Sequence, residues 1–295
     1  MILSLVFFTF AFIFYILTTT AYVGFWVFRK KWIGQIATAL AFIALGSTTM
    51  VLISRAGESG HGPFSNLWES MVLFIWATNA GYLLMEYRYK FKAIGAVVMA
   101  IETLAMLAAS LLPYRFKDVE PLNPALQSKW KWMTSLLSRW DLQNYAIGWL
   151  DFHVVTTFIG YAAFAISFGL ALLYLLKNRY ESRQQKVKLL DAFPDSKMLD
   201  EMSYRAVAWG FPFLAVGIVS GAIWANYAWG GYWSWDPKET WSLITWFIYA
   251  AYLHARVTRG WRGKRAAYLS ILGFAAVVFL YWGVSFILPG LHAYA

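Results

Sequence analysis

The sequence predicts an all-α integral membrane protein with about eight transmembrane helices and both termini on the external side, and three observations lead there. Sixty per cent of the residues are hydrophobic, only 14% are charged, and the mean hydropathy is +0.51; an ordinary soluble domain carries about 25% charged residues. Apolar runs able to cross roughly 30 Å of hydrocarbon, which takes about 20 helical residues, fall at about 3–28, 33–54, 66–86, 93–112, 152–176, 206–224, 241–257 and 266–288. The runs are continuous rather than alternating, which excludes a β-barrel, whose strands need only about 10 residues.

The first run lacks a basic segment before it and a small-residue cleavage site after it, so it reads as a helix and not a signal peptide. The third opens on Ser59-Gly-His61-Gly-Pro63-Phe-Ser65-Asn66-Leu-Trp68-Glu69-Ser70. Its glycines and proline suit a tight turn, Ser65 or Asn66 suits a helix N-cap, and His61 reads as a turn residue. Glu69 and Glu102 should face protein or water, because an acid facing lipid is costly. The connection 113–151 carries Pro113, Pro121 and Pro124 with Trp130, Trp132, Trp140 and Trp149. It is too long for a simple turn, and short external helices are expected in it. Segment 177–205 mixes acids and bases and reads as a solvated helical linker. No internal repeat or soluble domain interrupts residues 1–295, which form a single polytopic domain.

Lysines and arginines set the orientation. Eighteen of the 25 lie in the connections around 29–31, 88–92, 177–205 and 256–265. The positive-inside rule places these in the cytoplasm or its equivalent and the termini on the other side. The net charge of +10 therefore needs no nucleic acid. Cysteine is absent, so the chain cannot supply a disulfide, a thiolate nucleophile or a thiolate metal site.

Six tryptophans fall in the 23 residues Trp224–Trp246, in the run Trp224-Ala-Asn-Tyr-Ala-Trp229-Gly-Gly-Tyr-Trp233-Ser-Trp235-Asp236-Pro-Lys-Glu239-Thr-Trp241 and then Trp246. Indole rings offer wide, stiff apolar area, which suits a planar macrocycle; the alternative is an aromatic belt at the headgroup level. Of four histidines, His153 starts the fifth helix and His292 follows the eighth, on the face where the tryptophan run opens. Two imidazoles flanking an aromatic platform point to axial ligation of haem iron, although spacing alone does not fix that geometry. His254 lies 13 residues after Trp241, roughly 20 Å along the helix, too far to share one iron with the others. It is either an intramembrane ligand whose opposite histidine lies in another subunit, or a residue snorkelling beside the basic loop.

The run Trp229-Gly-Gly-Tyr-Trp233-Ser-Trp235-Asp236-Pro-Lys-Glu239-Thr-Trp241 resembles the WWD signature of haem-handling membrane proteins. Pro63 to Ser70, Tyr252-Leu-His254 with Trp261-Arg262-Gly263, and Gly290-Leu-His292-Ala-Tyr294 extend the resemblance to the CcsA/ResC family of cytochrome c biogenesis. The resemblance implies a subunit of a System II cytochrome c synthase (haem lyase) that positions haem b on the external face and takes part in haem export. His153 and His292 would hold haem beside Trp224, Trp229, Trp233, Trp235, Asp236 and Trp241, with Asp236 either ordering the loop or meeting the haem edge. His254 would be an intramembrane haem ligand. The implied partners are a ResB/CcsB-like membrane subunit, an apocytochrome c with a Cys-x-x-Cys-His motif, a thioredoxin-like thiol reductant and membrane lipid. The implied site is a bacterial cytoplasmic or a thylakoid membrane, with the WWD loop external or lumenal and no catalytic side chain required. Three alternatives stand beside it: a System I-type haem-delivery WWD protein, a b-type membrane cytochrome, which should pair histidines at matching depth, and a transporter of another amphipathic ligand.

Overall fold

The computed structural model describes residues 2–119, 148–288 and 290. Among them every long element is helical: α1 Leu3–Phe28, α2 Lys31–Ser59, α3 Leu67–Tyr89, α4 Gly95–Leu111, α5 Trp149–Glu181, α6 Ser196–Trp229, α7 Pro237–Thr258 and α8 Lys264–Val278. A five-residue π turn, Phe279–Gly283, carries α8 into the short helix α9, Val284–Ile287. Each apolar run in the sequence matches one of the eight long helices. Among the described residues six segments are long and apolar enough to cross a membrane: α1, α2, Lys92–Leu111, α5, α6 and Lys264–Ile287. The other two are more polar. Helix α3 buries Glu69, Ser70, Thr78, Asn79 and Glu86 against its neighbours, and α7 begins with the polar turn Pro237-Lys-Glu-Thr. Helix α3, largely enclosed by protein, need not present hydrocarbon to lipid, whereas α7 keeps an exposed apolar stripe beyond its polar first turn.

Helix ends follow local chemistry. The Asn66 side chain accepts from the Glu69 backbone N–H at 2.9 Å and caps α3, and Asp195 does the same for α6 through Met198 at 2.7 Å. Arg29 and Lys90 end α1 and α3 in left-handed backbone (φ 57° and 63°), the conformation that turns the last N–H back onto a carbonyl. The linker 177–205 is helical at both ends: α5 runs on to Glu181 and α6 starts at Ser196. Much of the predicted segment 113–151 lies outside the described residues, with Trp130, Trp132 and Trp140.

Helices α1–α4 pack on one another, and α3 joins them to α5, which packs with α6 and α8; α7 closes against α6 and α8. The α5–α6 contact depends on small residues. Cβ atoms at Gly160 or Gly210 would stand 3.0–3.1 Å from backbone of the other helix, and one at Gly217 would strike Thr157. One end of this bundle carries the tryptophan run, the starts of α3, α5 and α7 and the end of α6. The opposite end carries the basic connections.

Candidate functional site

The tryptophan end holds a cleft of about 300 Å³ between α3, α5, α6, α7 and the π turn, at the lower edge of the roughly 300–1,000 Å³ usual for small-molecule pockets. His153 and Thr157 of α5, Trp224 and Trp229 of α6, Trp233 and Lys238 of the following loop and helix, and Tyr281 of the π turn line it.

His153 sits one turn into α5 and is aimed across at α6. Its Nδ1 lies 2.6 Å from the Gly217 carbonyl. A carbonyl can only accept, so Nδ1 carries the hydrogen; in the neutral imidazole the lone pair then lies on Nε2, the arrangement typical of metal-ligating histidine. The ring lies parallel to Trp224, with centroids 6.5 Å apart and planes 9° apart. Gly221, one turn beyond Gly217, makes room for it: a Cβ there would come within 2.6 Å of His153 Nδ1 and Cε1.

The aromatic wall is built edge to face. Trp224 meets Trp229 at 4.9 Å and 74°, and Trp233 meets Trp235 at 5.7 Å and 89°. Trp235 takes left-handed backbone, φ 59°, uncommon for a bulky residue. That turn sends Trp233 into the cleft and leaves the Trp235 ring 69% exposed.

Asp236 and Glu239 form a reciprocal capping box at the start of α7. The Asp236 carboxylate accepts from the Lys238 N–H at 3.0 Å. Glu239 Oε2 accepts from the backbone of Ser234 and Asp236 at 2.7 and 3.2 Å, and the box satisfies helix N–H groups that would otherwise lack partners. Trp241 packs on Phe279 at 4.4 Å and so supports the π turn. That turn delivers Tyr281, whose hydroxyl donates to the Leu67 carbonyl at 2.9 Å and lies 2.7 Å from Ser70 Oγ. Single π turns within helices concentrate at functional sites.

Of the residues singled out from sequence, His153, Trp224, Trp229 and Trp233 come together in the cleft. Trp235, Asp236 and Trp241 stand behind or beside it. His254 lies toward the basic end of α7 and is exposed, on a stripe with Ile244, Phe247 and Val257. His292 lies outside the described residues. Gly290, two residues before it, touches the motif: a Cβ there would strike Asp236 Oδ2. Lys238, Tyr232 and Tyr281 line the cleft and were not selected from sequence. Lys238 was within the quoted motif, whereas Tyr281 owes its place to a π turn with no signature in the sequence.

Residues 144–292 match the family model described as Cytochrome C assembly protein. The chain is 39% identical over 279 residues to cytochrome c biogenesis protein CcsA of Guillardia theta, covering 89% of this chain and 85% of that protein. It is 37% identical over 279 residues to the same-named protein of Prochlorococcus marinus strain NATL2A, covering 92% and 89%. Among solved structures, Cytochrome c Heme Lyase CcmF shares the fold, with TM-score 0.67 at 19% identity; the alignment covers 95% of this chain and 46% of that longer one. With six apolar spans and relatives of matching length over most of its residues, the chain is a multi-pass membrane protein that belongs to the CcsA family of cytochrome c biogenesis proteins.

Proposed function

We propose that this chain is the haem-handling subunit of a System II cytochrome c synthase, which holds haem b at the tryptophan end and presents it to apocytochrome c. In this reading eight helices span the membrane, the termini and the WWD loop face outward or into a lumen, and a ResB/CcsB-like subunit completes the assembly. The single observation that supports it best is His153, hydrogen-bonded through Nδ1 to Gly217, parallel to Trp224 and on the wall of an indole-lined cleft.

The chemistry of the cleft suits such a substrate. Imidazole Nε2 can serve as an axial ligand for iron, indole-lined apolar walls suit a macrocycle, and an opening leaves an edge accessible. When bound, haem supplies the vinyl carbons to which the cysteines of Cys-x-x-Cys-His add. The residues of this chain orient. Trp229 and Trp233 limit the ring plane, His153 fixes its centre, and Gly290 against Asp236 brings the chain to within two residues, at most about 7 Å of backbone, of His292 as second ligand. Holding both partners in place replaces a rare encounter with an oriented one. Asp236 and Trp241 act through the loop and the π turn they brace. The exposure of His254 fits a ligand on the export route whose opposite histidine the partner supplies, since an imidazole facing lipid is otherwise costly.

The test is an absorption spectrum of the purified chain, alone and co-expressed with a ResB/CcsB-like partner. His153→Ala and His292→Ala should each weaken or shift the Soret band, and His254→Ala should do so only with the partner present. Haem-free preparations whose variants still mature cytochrome c would return the tryptophans to an interfacial belt.

Lys238 adds a pH dependence. Burial pushes its ammonium down to about 8, with Asp236 opposing that shift. Below that pH the side chain is cationic and attracts carboxylates such as haem propionates; above it the charge is lost. Haem retention should therefore fall as pH rises through about 8, and Lys238→Met should flatten the profile. An unchanged profile in that variant would remove Lys238 from the site.

A further inference from the structure

Glu102 sits at the middle of α4 with its side chain fully buried. Neither carboxyl oxygen has a hydrogen-bond partner among the described residues. The titratable group that faces it is Tyr15, at the middle of α1 and equally buried. Asn79 of α3 donates from Nδ2 to the Tyr15 hydroxyl oxygen at 3.0 Å and to the Ala41 carbonyl of α2 at 3.1 Å, while its Oδ1 is buried without a partner. Because the Tyr15 oxygen already accepts from Asn79, its own hydrogen is available to the carboxyl. Helix α5, also packed on α4, presents Gly169 to Val97 and Ile101 there, with no charge.

The nearby cations serve other acids. Lys92 lies 3.3 Å from Glu86, and Arg55 lies 2.7 Å from Glu69. A carboxylate at membrane depth with no cation of its own, and only the Tyr15 hydroxyl to donate to it, is too costly to keep; the group persists by binding a proton. We propose that Glu102 is a proton-binding site at the middle of the membrane, with Tyr15 as its positioning residue, and that it exchanges with the basic end of the bundle.

The direction follows from what lies on either side. Seven residues along α1, about 10 Å, Tyr22 donates to Glu86, which also accepts from Tyr82 and Thr38, each at 2.6 Å. This second cluster reaches the partly exposed ammonium of Lys92. Toward the tryptophan end, the buried Arg55 and Glu69 are closed on each other at 2.7 Å and, among the described residues, offer no comparable chain of hydroxyls around a carboxylate. The step is a proton transfer only: as the O–H bond on a Glu102 oxygen forms, an O–H bond of a water entering from the Glu86 end breaks, the reverse step returns the proton to water there, and no electron moves. The cluster is part of the α1–α4 half, and its test needs no haem, so it is independent of the function proposed above.

Infrared spectra of the full-length protein at neutral pH provide the test. The wild type minus Glu102→Gln difference should contain one carboxylic C=O band that moves down in D2O. Tyr15→Phe should move the same band up while leaving the carboxyl in place, which keeps the assignment testable if Glu102→Gln folds poorly. Glu86→Gln should slow the D2O shift severalfold without removing the band. Carboxylate stretches in place of the C=O band, above all if sodium alters them, would overturn the proposal in favour of a bound cation. A D2O shift equally fast in Glu86→Gln would overturn the route to the basic end.

Discussion

Replacing Gly221 with alanine should weaken haem binding by about 10- to 100-fold, the usual penalty for disturbing the support of a metal ligand, although residue 221 offers no ligand atom. The added Cβ would stand 2.6 Å from the His153 ring, far inside contact distance, so the ring must leave. In leaving, it loses the Gly217 carbonyl that holds Nδ1 protonated and the parallel face of Trp224. Helix formation itself should not suffer, because alanine is the better helix residue, and the loss should appear in the Soret band and not in circular dichroism. Gly231 provides the control. It lies in the same tryptophan loop, with nothing within 4 Å of its Cβ position, and Gly231→Ala should bind haem as the wild type does. Equal binding by both variants would mean that His153 is not held where iron requires it.

The dependence on Gly221 shows which parts of this protein could be read from its sequence. The helices could, because the requirement for about 20 apolar residues per span acts locally along the chain, and each predicted run coincides with a helix. Their ends were less legible: α6 starts at Ser196, ten residues before the predicted apolar run, because a helix can leave the membrane as a polar, solvated extension. In the site, His153 and Trp233 were visible as residue types in a suggestive order. The partners that orient them were not. Gly210, Gly217 and Gly221 share one face of α6 at intervals of seven and four residues, a stripe that signals close helix approach, but nothing in the sequence says that α5 and His153 fill it. The π turn under Tyr281 is likewise a product of packing, with Trp241 pressed on Phe279. Asp236 was legible in a different way, since an acid three residues before a glutamate at the start of a helix is a capping box in any protein.

Truncating Arg55 should cost about 3–5 kcal/mol of stability, the range for breaking a buried ion pair by removing one partner. Arg55 and Glu69 are 1% and 2% exposed and 2.7 Å apart. Neither spends its bonding on the other alone. Arg55 also donates to the Lys117 carbonyl at 2.9 Å and to that of Asp118, and its guanidinium lies 5.4 Å from the Trp68 ring centroid. Glu69 Oε2 accepts from the backbone and the hydroxyl of Ser65, both at 2.9 Å. The pair thus ties the end of α2 to the start of α3 and to the chain leaving α4. In Arg55→Ala, Glu69 is left buried without its cation and two carbonyls lose a donor. The exposed pair Arg205–Glu201, 51% and 37% accessible, is the comparison, and Arg205→Ala should cost at most about 1 kcal/mol. Thermal unfolding in detergent should separate the two variants clearly, and indistinguishable midpoints would show that the clamp contributes no stability. The double variant Arg55→Met, Glu69→Met should recover part of the loss, because removing both charges leaves no unpaired ion, but Ser65 would still lack its acceptor. Ser65 and Ser70 line the cleft, and so the clamp connects the packing of α2 and α3 to the wall that faces His153. Haem retention should therefore decline in Arg55→Ala even at temperatures where the protein stays folded, and return in part with the double variant.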